Sequence, residues 1–189
     1  MKQLRISILM LLIFTVLTGV IYPMVITGIG KVLFRNEING SMIRRDGIIT
    51  GSSLIGQKFE KPEFFHGRPS AVDYDAGGSG GSNMGPTNNK FIEDVKTRAA
   101  LLRKDFSLSD SAVLPSDLLF ASGSGLDPHI SVEAATLQAG RIAEERKIDK
   151  RKILELIKSN SERQLYFYGC RYVNVLKLNS ALADKGDLR

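Results

Sequence analysis

The chain has 189 residues, 43% hydrophobic and 24% charged, with no Trp, a single Cys and a formal net charge of +6. A lone cysteine excludes an internal disulfide, and the basic excess is local: Lys2, Arg5, Lys31 and Arg35 flank one apolar stretch, with no acidic residue before Glu37. With those four set aside, 22 of the 26 Lys and Arg face 20 Asp and Glu, too even a balance for the basic, aromatic-lined stripe of a nucleic-acid binder.

The apolar stretch, Ile6–Gly30, runs 25 residues without a charged side chain. As a helix it would be about 37 Å long, enough to cross a hydrocarbon core of roughly 30 Å with some tilt. A short tail over residues 1–5 and a transmembrane anchor over 6–34 are therefore predicted. The rival, a cleavable signal peptide, has its basic start in Lys2 and Arg5 and its apolar segment in Ile6–Leu17. It lacks an Ala-x-Ala cleavage site, and the apolar character continues to Val32, Leu33 and Phe34. Pro23 lies late in the run, where it would kink the helix or mark its approach to the interface. Lys2 and Arg5 favour a cytoplasmic N-terminus, whereas Lys31, Arg35, Arg44 and Arg45 pull the other way, so charge leaves orientation open.

Residues 36–189 are enough for one soluble domain. Ile38–Phe65 reads as short strands with tight turns, built on Ile48-Ile49 and Leu54-Ile55. Arg68–Asn89 shifts to Gly, Ser, Asn and Pro and predicts a long surface loop, with a Gly-rich part at 76–89. Asn89 is placed as the N-cap of a helix over Lys90–Lys104, whose Phe91, Ile92, Val95, Ala99 and Leu102 share one face. Leu118-Leu119-Phe120 suits a buried strand. A second small-residue loop follows at 121–128, closed by an Asp127-Pro128 turn. Ser131 should cap a helix over Val132–Arg146, and Asp149 another over Lys150–Lys158 with Ile153, Leu156 and Ile157 inside. Gln164–Leu178, rich in Tyr, Phe and Val, reads as a strand or hairpin before an Asn179–Leu182 turn. The fold class is α+β, loosely α/β, with one N-terminal transmembrane helix.

The glycine loop invites a phosphate-cradle reading, but a P-loop needs a lysine and a hydroxyl residue after its last glycine. Here Pro86 and Thr87 follow Gly85, and the first lysine is Lys90. Asp127, His129 and the serines at 122, 124 and 131 supply residue types for nucleophilic catalysis, yet they share one short turn and no Gly-x-Ser-x-Gly elbow is present. Bracing of the loop by Asp127 and His129 is the favoured reading. His66, His129 and Cys170 show no metal-ligand spacing, and no catalytic or metal residue is assigned.

Several motifs in fixed order carry a resemblance: Thr18-Gly19 and Tyr22-Pro23 in the anchor, Gly51–Gln57 with Phe59, Gly67–Ser70, Ser79–Asn88, Ala121–Ser131, the helix bearing Gln138 and Arg141, and Val173–Leu176 with Leu178-Asn179. Together they resemble the C subunit of the Kdp-type potassium-transporting ATPase over nearly the whole chain. The resemblance implies a non-catalytic accessory subunit of a high-affinity K⁺ import complex in the cell membrane, single-pass, N-terminus cytoplasmic and soluble domain extracytoplasmic. It implies two partners, an ATP-hydrolysing pump subunit and a channel-like subunit. It also implies a role in assembly and as a catalytic chaperone that stabilises the complex or raises the pump's ATP affinity, with no tightly bound cofactor and ATP reached only through the pump subunit. A nucleotide contact is implied at the position matching Gln138, whose alternative role is a hydrogen bond to a neighbouring loop. Gly80, Gly81, Ser82, Asn83, Gly85, Pro86, Ser124, Gly125, Asp127 and His129 are the candidate docking residues. Without the resemblance, the rivals are a membrane-tethered extracytoplasmic hydrolase using Ser124 or His129 and a nucleotide-binding regulator.

Overall fold

The computed structural model describes residues 1–45, 47–163 and 169–184. The chain divides into two compact units, Met1–Met42 and the remainder from Ile43.

The first unit is built on one continuous helical run, Lys2–Leu33, 32 residues long with a mean hydropathy of 2.4 over its most apolar 18-residue window and 0% of that window buried. It is long and apolar enough to cross a membrane, and it takes in part of the predicted tail. Within it, α1 (Lys2–Val16) and α2 (Tyr22–Leu33) are joined by a π-helical turn, Leu17–Ile21. Pro23 accounts for the turn: its ring has no N–H and crowds the carbonyl four residues back, so a widened turn relieves the clash. Within that turn, Thr18 Oγ1 donates to the Phe14 carbonyl at 2.7 Å. A short helix, α3 (Arg35–Ile38), follows.

Starting at the boundary residue Met42, β1 (Met42–Arg45) and β2 (Ile48–Ser52) pair as a two-stranded sheet. A long connection then leads to α4 (Asn89–Asp105), whose N-cap is Asn88 rather than Asn89: the Asn88 Oδ1 accepts from the Phe91 N–H at 3.2 Å. The predicted strand at Leu118–Phe120 is instead a helical turn, α5 (Ser116–Leu119), opened by Pro115. Pro115 has no N–H to give to a strand ladder and its φ is already helical.

β3 (His129–Ser131) leads directly into α6 (Val132–Arg146), with Ser131 as the cap: its Oγ accepts from the Ala134 N–H at 3.0 Å. Asp149 caps α7 (Lys150–Ser159) through the Arg151 N–H at 2.8 Å. Both caps stand where the sequence puts them. After β4 (Ser161–Arg163) and β5 (Arg171–Asn174), the chain turns helical at Val175. The predicted strand therefore stops four residues early, at Asn174, and α8 (Val175–Asp184) takes its place. Asn174 is the reason: its Oδ1 accepts from the Lys177 N–H at 3.0 Å, as an N-cap does. Residues 164–168 of the predicted hairpin lie outside the described residues.

The three-stranded antiparallel sheet has the order β3-β5-β4, with Ile130 opposite Val173 and Ser161 opposite Val173 on the other side. Its buried Ile130 and Val173 join Ala134, Ala135, Ala139 and Ile142 of α6 and Ile153, Leu156 and Ile157 of α7, while Leu178 and Leu182 of α8 and Phe65 complete the core. The alanines of α6 let its neighbours approach closely. Each fully buried Ile or Leu contributes roughly 1.5–3 kcal/mol of transfer free energy.

Candidate functional site

The two small-residue loops meet. The Gly80 N–H donates to the Ser124 carbonyl at 2.8 Å, and Ser79 Oγ donates to the same oxygen at 3.1 Å. A Cβ on Gly81 would lie 3.0 Å from the Gly123 carbonyl oxygen, and one on Gly125 would lie 2.5 Å from Val72 Cγ2 and 2.7 Å from the Gly80 carbonyl oxygen. Gly125 also holds φ +68°, which disfavours any side chain. Close approach of two backbones, rather than an anion nest, is what these glycines serve here.

Ser70 ties the first loop to the second. Its hydroxyl donates to the Gly125 carbonyl at 2.7 Å and accepts from the N–H groups of Tyr74 at 2.9 Å and Val72 at 3.2 Å. The Tyr74 hydroxyl in turn donates to the Arg68 carbonyl at 2.5 Å. Burial, reinforced by the Asp127 charge, pushes the Tyr74 phenol up to about 12, so it stays a donor throughout the physiological range.

Asp127 is the hub. Its Oδ2 accepts from Arg68 at 3.0 Å, and its Oδ1 accepts from the His129 N–H at 3.0 Å with the His129 ring Nδ1 at 3.5 Å. Burial opposes ionisation of this carboxyl, but the His129 and Arg68 hydrogen bonds outweigh it and hold Asp127 below the usual carboxylate range. With Nδ1 turned to Asp127, the other ring nitrogen of His129 lies 3.5 Å from the Asn174 amide, and the ring meets Tyr172 edge-on at 4.8 Å. The dyad thus faces a buried structural amide that itself donates to the Ser53 carbonyl at 2.7 Å. Ser124 Oγ accepts from the Leu126 N–H, and Ser131 Oγ bonds Asp117 and caps α6. Among the described residues no serine hydroxyl hydrogen-bonds a histidine ring, the arrangement a triad requires.

Gln138 lies elsewhere, on α6. It is fully buried, and its amide reads the backbone of His66 in both directions: Oε1 accepts from the His66 N–H at 2.8 Å and Nε2 donates to the His66 carbonyl at 3.1 Å. Asn179 of α8 does the same to the adjacent Phe65, at 2.8 and 3.0 Å. Arg141, one turn after Gln138, donates to the carbonyls of Pro62 at 2.8 Å and Phe64 at 3.0 Å, and Arg146 donates to that of Glu63 at 2.7 Å. Segment 62–66 is thereby clamped to the helices by side chains. Beside the clamp lies an open cavity of about 1110 Å³ lined by His66, Phe106, Leu137, Arg141, Glu144 and Lys150, among others. A second, of about 610 Å³, is lined by residues including Arg68, His129, Ser131, Cys170, Arg171 and Tyr172.

Of the candidate docking residues, Gly80, Gly81, Ser124 and Gly125 come together at the loop junction and Asp127 and His129 adjoin each other, while Ser82, Asn83, Gly85 and Pro86 are exposed along the outer loop. Residues 4–184 match the KdpC family, the c chain of the K⁺-transporting ATPase. The chain belongs to this family. Relatives named potassium-transporting ATPase KdpC subunit include one from Mycobacterium tuberculosis (strain ATCC 25618 / H37Rv), 46% identical over 184 residues that cover 96% of this chain and 97% of the relative. Another, from Methylococcus capsulatus, is 48% identical over 180 residues, 93% of this chain and 94% of the relative. A third, from Caulobacter vibrioides, is 46% identical over 186 residues, 96% and 93% respectively.

Family membership was legible in the ordered motifs, and the geometry gives several of them a physical role: Gly67–Ser70 and Ala121–Ser131 are the two sides of one junction. The grips of Asn174 and Asn179 were missed. The available signal was a polar residue at 179 within the apolar Val175, Leu178 and Leu182 face of a helix, since such a residue has to find buried partners.

Proposed function

We propose that the chain is a non-catalytic accessory subunit of a potassium-importing ATPase: an anchor and a docking domain that hold a pump subunit and a channel-like subunit together and raise the pump's affinity for ATP. The observation that carries the reading is the internal engagement of the polar groups from which chemistry would otherwise be built. Arg68, Asp127, His129 and Gln138 all bond neighbouring segments of their own domain. The relatives' names supply the complex, and the long apolar helix supplies the membrane. In this reading ATP is held by the pump subunit, and Gln138 acts by positioning His66. The N-terminus lies in the cytoplasm, the domain lies outside, and the exposed Ser82, Asn83, Gly85 and Pro86 offer a contact surface to the partners.

The test is reconstitution of the complex with and without this chain, with K⁺-stimulated ATP hydrolysis as the readout. Omission should dissociate the complex or raise the KM for ATP, while full assembly and an unchanged KM without the chain would overturn the proposal. Cys170 is exposed, so a membrane-impermeant maleimide on intact cells reads orientation. Labelling from outside is expected.

A further inference from the structure

The described part of the β1–β2 hairpin and the turn after it expose apolar side chains that the domain core does not use. Ile48 is 72% exposed, Leu54 60%, Ile49 50% and Met42 49%, and none of them belongs to the core cluster. Ile48 and Ile49 are successive strand residues and so point to opposite faces, which leaves both sides of the hairpin apolar. A two-stranded hairpin is marginal in water on its own. This one is fastened near its base, where the Asn174 amide bonds the Ser53 carbonyl and the Gly56 N–H bonds the Leu126 carbonyl at 2.8 Å.

Two features of the sequence select the occupant. Only eight residues separate Leu33, the end of the long apolar helix, from Met42, so the hairpin starts within about 30 Å of that end even if the connection is fully extended. Between positions 31 and 52, the four bases Lys31, Arg35, Arg44 and Arg45 outnumber the two acids, Glu37 and Asp46. Apolar side chains beside a juxtamembrane basic cluster are the composition of a segment that seats at an anionic lipid interface, with hydrocarbon several Å into the acyl boundary and cations among the phosphates.

We infer that the β1–β2 hairpin is a second membrane contact, in which Ile48 and Ile49 enter the lipid interface and Arg44 meets anionic headgroups. The contact requires only that the long helix sits in a bilayer; it does not depend on the partner subunits. Its consequence is a domain restrained at two points of the membrane rather than swinging on one tether.

The test uses the full chain carrying Cys170→Ser, with a single environment-sensitive fluorophore on Ile48→Cys or, as a reference, on Val113→Cys, a position 93% exposed. The protein is reconstituted in vesicles of phosphatidylcholine with phosphatidylglycerol, with or without brominated acyl chains. Blue-shifted emission and bromolipid quenching at position 48 but not 113 are expected. Adding Arg44→Gln should lower the seated-to-free ratio roughly fivefold, in anionic vesicles only. Flotation of the vesicles separates the failures. A chain that does not float overturns the membrane span and the inference together. A chain that floats with position 48 unquenched overturns the hairpin contact alone. A blue shift that appears only when the sister subunits are added also overturns it, assigning the surface to protein.

Discussion

Asn179 and Phe65, 114 positions apart, are joined by two hydrogen bonds: the Phe65 N–H donates to the Asn179 Oδ1 at 2.8 Å and the Asn179 amide donates to the Phe65 carbonyl at 3.0 Å. Asn179 is 3% exposed and Phe65 0%, so water cannot replace either partner. Asn179→Ala leaves a buried N–H and a buried carbonyl unpaired, each worth about 1–3 kcal/mol. A loss of about 3 kcal/mol lowers the Tm of a domain of this size by roughly 6–12 °C. Thermal unfolding of the full chain in detergent, followed by circular dichroism, checks this; a shift under about 2 °C would mean that the pair contributes little.

Gln138 makes the equivalent grip on His66, so Gln138→Ala should cost a similar amount, about 2–4 kcal/mol. The same variant separates two roles. If Gln138 positions His66, domain stability falls, and a complex assembled at low temperature keeps its KM for ATP. If stability is unchanged and the KM for ATP rises, Gln138 touches nucleotide and the positioning role fails.

Local signals were readable and long-range ones were not. The Ser131 and Asp149 caps were legible because a cap is decided by a side chain and an amide two or three residues away. The helix face of α4 was legible by its spacing, although Ile92 at its start remains 37% exposed. Leu118-Leu119-Phe120 was misread as a strand because so short an apolar run carries no periodicity. Val175–Leu178 was misread because its β-branched and aromatic neighbours outweighed the cap signal of Asn174. At the site, the loops could be recognised by composition, but their mutual docking through Ser70, Gly80 and Gly125 joins segments about 45–55 residues apart, and nothing local encodes it.

Gly125 is the most demanding position of that junction. Gly125→Ala adds a methyl 2.5 Å from Val72 Cγ2 at φ +68°, combining left-handed strain of about 1–2 kcal/mol with overpacking of about 1–3 kcal/mol. Gly78→Ala, whose added methyl would come no nearer than 4.0 Å to Asp75 Oδ2, with φ outside that region, is the control and should change stability by less than about 1 kcal/mol. Urea unfolding of the two variants compares them directly. Equal stabilities would show that the loops are not held together as described.

Acid should destabilise the domain in two separate pH windows. Burial first, and the neighbouring Arg141 cation second, hold the His66 imidazole below its ordinary value of 6.5, against smaller opposing effects from the Lys61 carbonyl, Asp105 and Glu60. The unfolded chain therefore takes up a proton near pH 6.5 that the folded chain refuses. Stability from this group is complete above that pH and declines as pH falls through it, until the depressed folded value is reached, by at most about 1.4 kcal/mol per pH unit. Asp127 has its folded value lowered as well, from 3.8; as an acid, it contributes stability that is present above pH 3.8 and lost as pH falls through the folded value. His66→Gln should flatten the stability profile just below pH 6.5 and leave the lower window intact, whereas Asp127→Asn should do the reverse. Urea unfolding free energies measured between pH 3 and pH 8 read both effects, and a His66→Gln profile parallel to the parent's across the upper window would show that His66 titrates normally in the folded protein.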